Sequence, residues 1–141
     1  MNTHNKQDKL TIEAAVENLE AVQAFVDERL EAVGCSMKAQ MQIDVAVEEI
    51  FVNIASYAYA PGTGDAVVCV EIPEDGTDVT ISFIDHGKAY DPLSRDDPDI
   101  SLPAEERDVG GLGILMTKKL MDELSYSYRD GQNILTMKKR I

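Results

Sequence analysis

Between Glu49 and Asp65 the chain carries no charged residue, although charged residues make up 28% of its 141 positions. This blank stretch sits inside a helical pattern predicted from about Met37 to Tyr59, with Ser36 as N-cap and Pro61-Gly62 as the stop. The half before Glu49 carries Lys38, Gln42, Asp44 and Glu48, as a solvent-facing helix does. The half after it offers water no charge to solvate and is expected to be largely buried. A helix that enters the interior in mid-course needs other elements to cover it.

The flanking sequence supplies them. Residues 9–12 predict a short first strand. Val16, Leu19, Val22, Val26, Leu30 and Val33 recur at helical spacing, and Gly34 is placed to end that helix. Residues 66–72 and 78–84 predict a hairpin around the turn Pro73-Glu74-Asp75-Gly76. Residues 125–129 and 133–139 flank Asp130-Gly131 and predict a second hairpin, preceded by a helical run from Ile114 to Leu124. Residues 1–8 are polar and are expected to form a disordered tail. The stretch from His86 to Arg107, with Pro92, Pro98, Pro103 and a run of acidic residues, is expected to be a mobile loop. The order predicts one domain over residues 1–141. It is an α+β two-layer sandwich, with a mixed, mostly antiparallel sheet and helices on one face.

Charge narrows the partners. Lys and Arg number 13 against 26 Asp and Glu, a net charge of −13, and only Lys138, Lys139 and Arg140 cluster. Direct nucleic-acid binding needs clustered cations and is disfavoured. The acidity suits solubility or a partner with a basic surface. Cys35 and Cys69 form no C-x-x-C pair, so zinc and thioredoxin-like chemistry lack support. Met1 to Asp8 has no apolar signal core, and no segment reaches the ~20 apolar residues of a membrane span. A cytoplasmic location without membrane attachment is expected.

Three short motifs carry chemistry. Glu49 and Asn53 share a helix face with Met41, Val45 and Tyr57. Alone, that pair is either a surface hydrogen bond or a carboxylate base beside an amide oxygen suited to Mg²⁺. Asp85-His86-Gly87 follows an apolar strand directly. Alone, it is either an ordinary turn or an acceptor for a ligand's amino group. Gly110-Gly111-Leu112-Gly113 opens the third helix as either a hinge or a set of bare N–H groups for phosphate. It is neither Walker A nor G-x-G-x-x-G.

In this order and on these elements the motifs resemble the GHKL ATPases, the gyrase, chaperone, histidine kinase and mismatch-repair type proteins with the Bergerat fold. Glu49-Ile50-Phe51-Val52-Asn53 resembles the N box, Asp85-His86-Gly87 the first glycine box and Gly111-Leu112-Gly113 the second. The small size, Tyr90-Asp91-Pro92 and the G-L-G-I run are similar to the anti-sigma-factor serine/threonine kinase branch, over about Leu10 to Lys139.

The resemblance implies roles. Glu49 would be the base and Asn53 the Mg²⁺ ligand. Asp85 would accept the adenine amine, and Gly87 would let the base lie close. Gly110, Gly111, Leu112 and Gly113 would face the phosphates. Residues 93–109 would be the ATP lid, with Arg107 its cation. Ala89 and Asn133 also fall at the nucleotide, but stand where many relatives have Gly and Thr, and Tyr57 stands where many have His. The implied activity is ATP-dependent phosphorylation of a STAS-type antagonist by a protein that sequesters a sigma factor. The alternative is a non-catalytic, ATP-dependent binding switch. Relatives of this branch are often homodimers, whereas the apolar stripe from Leu10 to Val33 is expected to pack on the sheet.

Overall fold

A computed structural model of the chain describes residues 5–94 and 111–141. Alternation of apolar and polar residues builds one sheet from β1 (Asn5–Glu13), β2 (Asp65–Pro73), β3 (Asp78–Asp85), β4 (Glu123–Arg129) and β5 (Gln132–Arg140), in the order β1-β2-β3-β5-β4. Every adjacent pair is antiparallel, so the mixed sheet expected from sequence is wholly antiparallel among the described residues. Two of the connections are hairpins, and these force antiparallel neighbours. The turn between β4 and β5 places Asp130 at φ 54° and Gly131 at φ 78°, the positive pair that a two-residue hairpin needs.

Ala66, Val68, Val70 and Ile72 of β2, Val79, Ile81 and Phe83 of β3, and Leu135 and Met137 of β5 turn to one face. Helices α1 (Leu19–Ala32), α2 (Met37–Tyr57) and α3 (Gly111–Leu120) supply the other layer. Val22, Val26 and Leu30 of α1 and Ile43, Val47, Ile50 and Phe51 of α2 join the strands in one core. The α1–α2 link follows the sequence signals. Gly34 takes φ +73°, and the Ser36 hydroxyl accepts from Ala39 N at 3.1 Å. Asp27 Oδ1 of α1 and Asp44 Oδ1 of α2 are buried and, among the described residues, meet no hydrogen-bond donor.

The boundaries differ where pairing or packing overrides local signals. β1 begins at Asn5, inside the tail expected over residues 1–8, because β2 offers a ladder out to Pro73. Helix α3 starts at Gly111 and stops at Leu120, earlier than expected at both ends. Glu123 and Leu124 are drawn into β4 by Lys138 and Met137, and Lys139 Nζ donates to Leu120 O at 2.8 Å, closing the helix. The uncharged half of α2 is not all core. Ile50, Phe51 and Ile54 are buried, Asn53 is half-buried and Tyr57 is 48% exposed. Its lack of charge serves two surfaces, the core and the floor of a cavity. Among the described residues no helix is long and apolar enough to cross a membrane.

Candidate functional site

The cavity has a volume of about 410 Å³, within the range of small-molecule sites. Asn53 and Tyr57 of α2 form part of its floor. Asp85, at the end of β3, and Ala89, in the loop that follows, form one wall. Asn133 and Tyr126 enter from β5 and β4, and Ile114 from the start of α3.

At one end the polar groups hold each other. Asp85 is buried, and its Oδ1 accepts from Gly87 N at 2.8 Å and from Asn133 Nδ2 at 2.9 Å. Asn133 Nδ2 also reaches Lys88 O at 3.0 Å and Gly87 O at 3.3 Å. Its Oδ1 accepts from Tyr90 N at 3.1 Å and from the Tyr126 hydroxyl. These donors and acceptors fix the amide in one orientation. Asp85 Oδ2 makes no hydrogen bond among the described residues and is free for a ligand's donor.

The loop after β3 is clamped to the end of α2. A Cβ on Gly87 would lie 2.2 Å from Ala58 O, and Lys88 N donates to that same oxygen at 3.1 Å. The structural need for glycine therefore comes from the helix end. Tyr59 braces the loop too, donating to Asp65 O at 2.6 Å and accepting from His86 N at 2.7 Å. His86 itself is exposed, with its ring 3.1 Å from Gln132 Nε2.

Glu49 lies outside the residues that line the cavity. Glu49 lies one turn before Asn53 on the same face of α2. Neither side chain hydrogen-bonds to a described residue. The start of α3 covers Glu49 so closely that a Cβ on Gly113 would fall 2.1 Å from Glu49 Oε2. Burial first, and then the charge of Glu48, push the Glu49 carboxyl above its ordinary value and make it a stronger base. Gly111, Leu112 and Gly113 occupy the first turn of α3, where backbone N–H groups lack intrahelical partners. Arg107, Gly110 and residues 95–109 of the expected lid lie outside the described residues.

Sequence reasoning missed Tyr126 and Tyr59. Tyr126 was findable as an inward position of the alternating SYSYR strand, since it pairs with Leu135. No local pattern marked Tyr59, whose partners lie six and 27 residues away.

A family model described as a histidine kinase-like ATPase domain matches residues 12–139. The chain belongs to the histidine kinase-like ATPase family. Within the family it is 31% identical over 111 residues to the serine-protein kinase RsbW of Listeria monocytogenes, covering 74% of this chain and 69% of that one. It is 29% identical over 102 residues to the serine/threonine-protein kinase BtrW of Bordetella bronchiseptica, covering 72% and 71%. This is the kinase branch that the three boxes resemble.

Two solved structures share the fold. The RsbU and RsbW domains of Rv1364c from Mycobacterium tuberculosis match at TM-score 0.67 and 22% identity, covering 96% of this chain and 32% of that one. A chain of the SiaB–SiaC complex from Pseudomonas aeruginosa matches at TM-score 0.56 and 19% identity, covering 94% and 89%.

Proposed function

We propose that this protein is a cytoplasmic regulatory kinase that transfers the γ-phosphate of Mg-ATP to a Ser or Thr of a STAS-type antagonist, and that it sequesters a sigma factor until that antagonist relieves it. The observation that carries the chemistry is Glu49. Its carboxylate is half-buried beneath Gly113, one turn from Asn53, which lines the same cavity as Asp85. The RsbW and BtrW relatives are named as protein kinases acting on serine or threonine, which supports the reading.

Each group then has a task. Asp85 Oδ2 accepts the exocyclic amine of adenine, while Asn133 and Gly87 hold the other oxygen. The N–H groups of Gly111 to Gly113 face the phosphates. The residues present suit Mg²⁺ only with help from the nucleotide. Among the described residues no group of three His, Cys, Asp or Glu could hold a metal, whereas the Asn53 amide can add one oxygen to those of phosphates and water. Bound there, Mg²⁺ would neutralise phosphate charge that an acidic protein otherwise repels. Glu49 takes the proton of the acceptor hydroxyl as that oxygen bonds to the γ-phosphorus, and the bond to the ADP oxygen breaks.

The test is transfer of labelled γ-phosphate to a purified STAS-domain protein. Wild type should label it. Glu49→Gln should cut transfer by roughly 10²–10⁴ while ATP affinity stays within a few fold. Glu48→Gln, pointing about 100° away on the helix, should do little. Wild-type binding of Mg-ATP without transfer would replace the kinase with the binding switch.

A further inference from the structure

Asp85 has one carboxylate oxygen open and one closed. Asp85 and Asn133 stand opposite each other on β3 and β5, and both are buried, at 4% and 7% exposure. Each oxygen of an ionised carboxylate accepts about two hydrogen bonds. Oδ1 has its pair, from Gly87 N at 2.8 Å and Asn133 Nδ2 at 2.9 Å. Oδ2 accepts none among the described residues.

Asn133 keeps nothing for a ligand. Its Nδ2 also faces Lys88 O at 3.0 Å and Gly87 O at 3.3 Å, so its N–H groups are spent on Asp85 and the loop. Its Oδ1 accepts from Tyr90 N and from the hydroxyl of Tyr126, which reaches it diagonally from β4. These donors set the amide one way round, with Nδ2 toward Asp85. Asn133 lines the cavity and yet commits both of its side-chain polar atoms to the protein.

A purine can meet this end by one of three edges. An exocyclic amine, as on adenine, needs one acceptor, and Oδ2 is that acceptor. A ring carbonyl, as on guanine, would set its oxygen against the oxygens of Asp85. The remaining edge of guanine carries N1–H and the N2 amine side by side, a fork that matches a carboxylate only when both oxygens are open. With Oδ1 filled, one of those N–H groups would be buried without a partner.

We propose that Asn133 is the specificity-determining residue for the base. With Gly87 N it fills Oδ1, leaving the Asp85 carboxylate a single open oxygen that accepts the adenine amine and refuses the guanine fork. The inference rests on the nucleotide reading above and deepens it. The Gly87 bond is made within the turn that follows Asp85, whereas the Asn133 bond comes from a side chain 48 residues away. A substitution at position 133 therefore reopens one lone pair of Oδ1 and leaves the turn in place.

The experiment measures calorimetric Kd values of the full chain for Mg-ATP, Mg-GTP and Mg-ITP. Inosine keeps the carbonyl and N1–H of guanine and lacks the N2 amine. Wild type should bind ATP tighter than either by about tenfold or more, the cost of an unpaired buried donor, and should bind GTP no tighter than ITP. Asn133→Ala should lower the ratio of the GTP Kd to the ATP Kd by about tenfold, and GTP should now bind about tenfold tighter than ITP. Asn133→Leu, which lacks the donor but leaves no space for a water to replace it, should do the same. Gln132→Ala, the neighbouring position on β5 whose amide meets the exposed His86 ring, should leave both ratios at their wild-type values. Unchanged ratios in both Asn133 variants would overturn the proposal, since Asn133 would then serve the fold alone. So would GTP and ITP gaining equally, because the fork would not be what was excluded. Equal affinity of wild type for ATP and GTP would also overturn it, with the nucleotide reading intact. If wild type binds none of the three, that reading falls and this inference with it.

Discussion

The two ends of the candidate site are built on opposite plans. Around Asp85, the side chains of Asn133 and Tyr126 and the backbone N–H groups of Gly87 and Tyr90 bond to one another. Around Glu49 and Asn53, no hydrogen bond to a described residue constrains either side chain, and position is set by helix phase and by the close fit of Gly113. A group that reads one fixed shape gains from having its partners in place beforehand, because ordering it on binding would cost affinity. A group that must engage changing atoms gains from having its lone pairs free. The contrast predicts that damage at one end appears in binding and at the other in turnover.

The largest test of that division is Gly113→Ala. The added Cβ would fall 2.1 Å from Glu49 Oε2, so the carboxylate or α3 must move. Phosphate transfer should fall about 10²-fold, as for a reacting group displaced by ~1 Å. The ATP Kd should change only a few fold in calorimetry. Equal losses in both would erase the distinction between the ends.

Asn133→Ala works at the other end. It removes the donor to Asp85 Oδ1 and the oxygen shared by the Tyr126 hydroxyl and Tyr90 N, leaving Tyr90 N on the Tyr126 hydroxyl at 3.3 Å. The ATP Kd should weaken by about tenfold, in line with loss of a buried hydrogen bond to a charged group. The kcat at saturating ATP should barely move. A fall in kcat with unchanged Kd would reverse the assignment.

The smallest effect sharpens the comparison from outside the cavity. Burial first, then the neighbouring Asp27 carboxyl, then the charge of Glu31, push the Asp44 carboxyl from 3.8 up to about 7. Across that window the folded state holds more protons than the unfolded one, so stability falls as pH rises from about 4 to 7 and levels off above. Asp44→Asn should remove that slope. At pH 8 it should stabilise the fold by about 1 kcal/mol, a figure kept small because solvent screens a partly exposed group. Denaturant midpoints at pH 5 and 8 check this, and nucleotide affinity should not respond.

The site was legible where function is concentrated in short patterns on regular elements. Helical spacing put Glu49 and Asn53 on one face, and Asp85 and Gly113 stood out at the end of a strand and the start of a helix, but the roles proposed for them came from the resemblance. Asn133 came from resemblance, and its hold on Asp85 depends on β3 and β5 pairing Asp85 with Asn133 across 48 residues. Strand ends were misjudged for the same reason, since Asn5 and Glu123 are extended by their partners and not by their own propensity. The start of α3 was placed late because three glycines are poor helix formers, yet the bare Gly113 lets α3 pack directly against the Glu49 carboxylate.

The clamp between Ala58 and the loop after β3 turns α2 into a gauge. Ala58 O holds Lys88 N, and Glu49 stands nine positions upstream, about 13 Å along a rigid rod. The spacing from Glu49 to the loop after Asp85 is thus set by residue count. Adding one residue between Ile50 and Tyr57 would swing Glu49 about 100° around the axis, away from Gly113. The turns at Glu74 to Thr77 and at Asp130-Gly131 set no such distance. Length variation has room at those turns and almost none in these two and a half turns of helix.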